Sequence, residues 1–189
     1  MPSRLPQTVT LIPHPAAVST AVRRVTGRVV PLPGDRLRLT YFLEGTLDRI
    51  RLPARRAARF ADELWRHTCC EIFIRRKDNP AYHEVNLSPS GEWALYAFRR
   101  YRERVPLDTS VNIETFDPEI AIQSADHLLA LDAVVPLEHL SPDYVSTHLE
   151  LGLSVVVEDE DGLQSYWALK HPVGKPDFHH PTAFVLELA

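Results

Sequence analysis

The residues best suited to chemistry lie in the stretch TCCEIFIRRKDNPAYHEVNLSPSGEW, residues 68–93. Residues 68–76 and 81–88 alternate between apolar and polar side chains, the period of a strand with two different faces. In the first, Glu71, Phe73 and Arg75 share a face, opposite Cys70, Ile72 and Ile74. In the second, Tyr82, Glu84, Asn86 and Ser88 oppose His83, Val85 and Leu87. Pairing through the turn at 77–80 lets the apolar sets share one side of a sheet and gathers Glu71, Arg75, Tyr82, Glu84 and Asn86 on the other. Carboxyls and amides exchange hydrogen bonds with hydroxyls, and aromatic rings lie against apolar sugar faces. This face therefore suits a polyhydroxyl ligand. The competing reading is an ordinary solvated outer face of an antiparallel sheet.

Three tryptophans supply rings. Trp65 precedes the first strand of the block and either caps the fold or lines a cleft. Trp93 follows the Ser-Pro-Ser-Gly turn, a strand start open to both core and rim. Trp167 alternates with Ser165 and Leu169 and is expected to face the core. The loop KHPVGKPDFHHP, residues 170–181, holds Lys170, His171, Lys175, Asp177, His179 and His180 between prolines that restrict the backbone. Loops fixed at the end of a sandwich are common binding sites. His179 and His180 are adjacent and diverge in extended backbone, which favours hydrogen-bonding histidines over a two-histidine metal site. The candidate ligand-binding set is thus Trp65, Glu71, Tyr82, Glu84, Asn86, Trp93, Lys170 and His179, with no catalytic residue assigned and metal ligation left open.

Familiar catalytic patterns are missing from the sequence. There is no G-x-S-x-G elbow, no glycine-rich phosphate loop among only seven glycines, and no H-E-x-x-H or paired C-x-x-C signature. Two alternatives to ligand binding remain. Glu71 and Glu84 on paired strands form a possible carboxylate pair for an enzyme. A haem-binding electron-transfer domain would need histidine ligands drawn from His83, His171, His179 or His180, since Met1 is the only methionine.

The elements that must position these residues are short strands. Alternating or β-branched runs occur at 7–12, 21–32, 36–43, 47–52, 68–76, 81–88, 111–116, 119–123, 127–135, 145–158, 164–170 and 182–188. Asp159 to Gly162 (DEDG) marks a hairpin turn. Residues 99–106 read as a charged connection and 136–144 as an irregular crossover. Alanine and arginine at 54–65, after Pro53, predict one short helix. With 189 residues, 44% of them hydrophobic, the chain suits one domain over 1–189. The expected fold is all-β, an antiparallel β-sandwich of jelly-roll-like form with one short helix.

A net charge of -4 gives no reason to expect nucleic acid or an anionic membrane as partner. No signal-like or membrane-length apolar run is seen, so a cytoplasmic location is expected. The only cysteines, Cys69 and Cys70, are neighbours. Adjacent Cα atoms sit about 3.8 Å apart, below the roughly 4.4–6.8 Å of a disulfide, so both should be free thiols.

At these residues the chain resembles a known group. Leu64-Trp65, Thr68, Glu71-Ile72-Phe73-Ile74, Tyr82, Glu84-Val85-Asn86 and Ser88-Pro89-Ser90-Gly91-Glu92-Trp93 look like DOMON-like domains. More narrowly they are similar to the branch related to the family-9 carbohydrate-binding modules. Trp167-Ala168-Leu169, Lys170-His171-Pro172 and Pro176-Asp177-Phe178-His179 resemble the closing part of stand-alone bacterial members. The similarity covers most of the chain and is strongest over 64–101 and 165–188. It implies a β-sandwich that binds a sugar or a haem rather than one that does chemistry. In the sugar-binding branch the ligand lies between aromatic rings while polar side chains hold its hydroxyls. By position Trp65, Glu71, Glu84 and Asn86 are the counterparts, followed by Trp93 and His179. Family-9 modules are typically secreted and calcium-containing. Here Arg75-Arg76 stands where an acidic residue often follows the strand, so no cofactor is expected, with haem and calcium as the minor alternatives.

Overall fold

Side chains that alternate between apolar and polar build strands, and the computed structural model, which describes residues 5–107 and 116–188, is made almost wholly of them. They are β1 (Gln7–Pro13), β2 (Val22–Leu32), β3 (Arg36–Gly45), β4 (Cys69–Arg76), β5 (Tyr82–Leu87), β6 (Trp93–Arg100), β7 (Glu103–Val105), β8 (Ala121–Ala125), β9 (Leu128–Pro136), β10 (Leu149–Glu158), β11 (Gln164–Ala168) and β12 (Leu186–Leu188). All strand pairs are antiparallel, in the order β7-β6-β5-β4-β10-β11-β1-β2-β3-β9-β8. β12 pairs with β10 through Leu149–Leu151, continuing the edge that β11 occupies through Ser154–Glu158.

The continuous strand order folds over as a β-sandwich, with β1 shared at the corner between β2 and β11. Between the two layers lies the main core. It takes Leu11, Val25, Leu37, Leu39, Tyr41 and Leu43 from one side and Cys70, Ile72, Ile74, Val85, Leu87 and Leu95 from the other. The faces assigned from alternation in residues 68–88 are therefore the observed ones. Both cysteines are free and buried, Cys70 in this core. Tyr41 spans the layers, its hydroxyl donating to the Glu71 carbonyl at 2.6 Å. A second apolar cluster, Phe73, Tyr82, Ala94, Tyr96, Phe98 and Phe184, lies on the outer face of β4, β5 and β6. That face is covered rather than solvated.

The helix expected over 54–65 is not formed. Residues 54–60 are all exposed, so a helix there would have no apolar face to bury. The backbone instead bonds to the turn before β6. Arg56 N–H donates to the Ser90 carbonyl, Ala61 N–H to the Trp93 carbonyl, and Trp93 N–H to the Arg59 carbonyl. Arg59 and Arg56 pair with Glu92, whose other oxygen accepts from Ser90. Tertiary pairing thus overrides helix propensity, and a three-residue 3-10 turn at Leu64–Arg66 is what remains. The strand expected over 47–52 is likewise a 3-10 turn, Leu47–Arg49, with Ile50 making one bridge to Asp159. Part of the connection at 99–106 is the edge strand β7. The strand expected over 111–116 lies outside the described residues except for Phe116, which is buried.

Because Tyr41 ties the two layers together directly behind Glu71, Tyr41→Phe is expected to cost about 1–2 kcal/mol of stability, the usual loss of one buried hydrogen bond. Urea unfolding of the two proteins measures it, and an unchanged midpoint would show that the hydroxyl is dispensable.

Candidate functional site

Register decides which outer-face side chains meet. Glu71 stands opposite Asn86 on β5 and Ser154 on β10. Glu84 stands opposite Phe73 on β4 and Tyr96 on β6, and Tyr82 opposite Phe98. Side chains directly or diagonally opposite on one face lie within contact range. The outer face thus carries a polar row, Ser154-Glu71-Asn86, beside an aromatic group of Phe73, Tyr82, Tyr96 and Phe98.

The loop at 176–181 closes over this face and leaves a half-enclosed cleft of about 350 Å³. Glu71 and Glu84, at 2% and 4% exposure, form its buried base. Tyr96, Phe98 and Tyr166 contribute aromatic wall, Phe178 and His179 enter from the loop, and Arg102 and Arg104 come from the β6–β7 hairpin. Trp65 stands at the mouth with 44% of its surface exposed.

Asp177 fixes the loop. One of its oxygens accepts from Arg102 at 2.7 Å and from the His179 backbone N–H at 3.1 Å, and the other accepts from the Tyr101 hydroxyl at 2.6 Å. Tyr82 then orients His179. Its hydroxyl accepts from the Arg102 backbone N–H at 3.1 Å and lies 2.9 Å from His179 Nδ1. The hydroxyl proton remains available to Nδ1, an arrangement that would leave the ring proton on Nε2, 3.7 Å from a Glu84 oxygen.

Burial sets the charges. Glu71 is held well above the ordinary carboxylate value by burial and by the neighbouring Glu84 charge, only partly offset by the Ser154 hydroxyl at 3.3 Å. Burial raises Glu84 to about 7, against the downward pull of the Asn86 amide, Arg104 and Arg102. His179 is lowered to about 4 by burial and then by Arg102. Burial thus disfavours charge throughout the base of the cleft: it shifts Glu71 and Glu84 toward the protonated carboxyl and His179 toward the neutral imidazole.

Four of the residues proposed from sequence, Trp65, Glu71, Glu84 and His179, come together in the cleft. Tyr82 lies behind them as the support of His179, its ring stacked on Phe98 at 4.7 Å. Asn86 is wholly buried, near enough to Glu84 to favour its charge, yet among the described residues neither its oxygen nor its nitrogen meets a partner at hydrogen-bond geometry. Trp93 belongs instead to the main core, packed edge-on against Phe116 at 4.9 Å. Lys170 lines an adjoining groove, not the cleft. Trp167 is buried as expected.

Tyr96, Phe98, Arg102, Arg104, Tyr166 and Asp177 were not singled out from sequence as site residues. Tyr96 and Phe98 alternate within 93–100, and the tight turn at 88–92 would have placed Tyr96 opposite Glu84. Arg102 and Arg104 read only as a charged connection. Among the described residues no group of three or more His, Cys, Asp and Glu side chains is arranged to hold a metal ion. The histidines weighed for haem are dispersed: His83 bonds to Tyr144 at 2.8 Å, His171 packs edge-on against His14, and His179 bonds to Tyr82.

Sandwich layers with a half-enclosed, aromatic-walled cleft on one outer face describe a ligand-sized site built on a rigid scaffold. No family model matches the sequence, and no curated protein does. The chain is similar in structure to a candidate carbohydrate-binding protein from Bacteroides uniformis, with a TM-score of 0.69, 13% identity, and coverage of 96% of this chain and 84% of that one. It is also similar to a family-9 carbohydrate-binding module from Caldicellulosiruptor kristjanssonii in complex with glucose. There the TM-score is 0.51 at 10% identity, covering 84% of this chain and 72% of the module. At these identities the shared feature is the fold.

The raised acids and lowered histidines oppose one another in the pH dependence of stability. His179 and His83, both lowered to about 4, destabilise as pH falls from 6.5, because the unfolded chain then binds protons that the folded one does not. Glu71 and Glu84 act the other way: their contribution is present below the ordinary value of 4.5 and is lost as pH rises through the raised values. Unfolding free energy is therefore expected to fall between about pH 6.5 and 8, where the histidines no longer offset the acids. Denaturant titrations should show a shallower slope in Glu84→Gln, and an equal slope would contradict the assignment.

Proposed function

We propose that this chain is a non-enzymatic carbohydrate-binding domain of the DOMON-like, family-9-related type, and that the cleft above Glu71 and Glu84 is its sugar site. The observation that carries the reading is the pairing of a low-charge hydrogen-bonding base with aromatic walls in one cleft. A protonated carboxyl and a neutral imidazole both donate and accept, which matches ring hydroxyls. Tyr166, Phe178 and the exposed Trp65 offer rings for the apolar side of a sugar. A volume of about 350 Å³ falls at the low end of the roughly 300–1,000 Å³ range of small-ligand sites. The cleft therefore takes one or two sugar rings rather than a long stretch of polymer. The glucose complex of the similarly folded Caldicellulosiruptor module supports a sugar as ligand.

Titration of the protein with monosaccharides and disaccharides, read by calorimetry and tryptophan emission, tests the proposal. Absence of heat and of any emission change with every sugar would remove its basis. Trp65→Ala is expected to weaken binding by tenfold or more while leaving unfolding free energy within about 0.5 kcal/mol, as for other exposed positions. A large loss of stability would instead make Trp65 a packing residue.

A further inference from the structure

We propose that the sugar held by this cleft bears a carboxylate, and that the guanidinium of Arg104 receives it. This inference rests on the carbohydrate reading above and narrows its ligand class.

The argument follows from which charges around the cleft are already committed. Both oxygens of Asp177 are engaged, by Arg102, Tyr101 and the His179 N–H, and Arg102 is spent on that pair. His179 is fixed between Tyr82 and Glu84. Glu71 accepts from Ser154. Arg104 stands apart. It is exposed and lines the cleft, and its guanidinium lies 4.3 Å from the centre of the Tyr96 ring. Among the described residues no carboxylate reaches it at ion-pair distance. Asp62 feels its field, but one Asp62 oxygen is taken by the Tyr96 hydroxyl and the Glu63 N–H.

A guanidinium laid against an aromatic ring keeps its planar fork of donors, the geometry that binds carboxylate through two parallel hydrogen bonds. The surroundings add to the attraction. Lys170 and Lys175 line the adjoining groove that also includes Arg102, and among the described residues neither forms an ion pair. Burial shifts both acids at the base toward their protonated forms, so they offset this field less than two exposed carboxylates would. Arg104 is named ahead of Arg102 among the charges that pull Glu84 down. An anion seated on Arg104 would weaken that pull and push Glu84 back up, so binding an acidic sugar should take up protons near pH 7.

The test is calorimetry of the full chain with D-glucuronate, D-glucose and glucose 6-phosphate at low ionic strength, repeated in buffers of different ionisation enthalpy. Glucuronate is expected to bind about tenfold more tightly than glucose, the effect of about 1.4 kcal/mol. Its affinity, unlike that of glucose, should fall as salt is added, and its binding should take up protons. Arg104→Gln should bring the glucuronate-to-glucose ratio close to one, whereas Lys170→Gln, in the adjoining groove, should change it by less than about threefold, within the range of an exposed pair. Should the arginine variant fold poorly, the salt dependence and proton uptake of the unaltered protein decide the matter. Equal or tighter binding of glucose overturns the acidic ligand while leaving the carbohydrate reading intact. Tighter binding of the phosphate overturns the carboxylate, and an unchanged ratio in Arg104→Gln overturns the role of that residue. If no sugar binds, both readings fall together.

Discussion

The cleft depends on the hydrogen bonds at Asp177. A loop carrying Pro172, Pro176 and Pro181 has few backbone donors with which to join a sheet, so a side chain must hold it down. Asp177, with its charge stabilised by Arg102 and Tyr101, links the loop to the β6–β7 hairpin. That link brings Phe178 and His179 over β4 and β5, and Phe184 follows onto Phe73 and Tyr82. The loop so held covers the outer face over Glu71 and Glu84, which lie in the base of the cleft at 2% and 4% exposure.

Covering that face has an electrostatic consequence. Two acids on neighbouring strands, buried together, cannot both carry charge at modest cost, so at least one keeps its proton. The protein accepts this arrangement although apolar side chains would pack there as readily, as they do at Phe73 and Phe98 on the same face. Asn86 repeats the pattern: its amide is fully buried and, among the described residues, meets no partner at hydrogen-bond geometry, a burial cost that an apolar side chain would not carry. Polar groups retained against their burial cost set this part of the sheet apart from the apolar cluster beside it and support the site proposed above.

How far the sequence disclosed this differs by element. Alternation in 68–88 assigned both faces of β4 and β5, because a period of two is local and the core side is almost purely apolar. The helix expected over 54–65 failed because its alanines and arginines express only intrinsic preference. The chain there is held by carbonyls of Ser90 and Trp93, which no local pattern announces. Trp93 shows the limit at the level of one residue. Its place at a strand start left core and rim open, and packing against Phe116 decided it. Arg102 and Arg104 were hidden for another reason: a short edge strand rich in charge reads as a loop, and only the hairpin with β6 turns both arginines toward the cleft.

The pattern of restraint in the cleft bears on how it would bind. Tyr82, His179, Arg102 and Asp177 hold one another, so the base and loop side are set before any ligand arrives and add little to the ordering cost of binding. The freedom that remains sits at the mouth. Trp65 is almost half exposed, with only the Arg66 guanidinium near its ring at 5.3 Å, and Arg104 rests on Tyr96 without an ion-pair partner among the described residues. If the cleft is the sugar site proposed above, its rigid polar base would select the arrangement of hydroxyls, while two less restrained groups at the rim would accommodate the ring and its substituents. The fixed residues lie on β5, in the β6–β7 turn and on the proline-bounded loop, and the less restrained ones on a 3-10 turn and an edge strand.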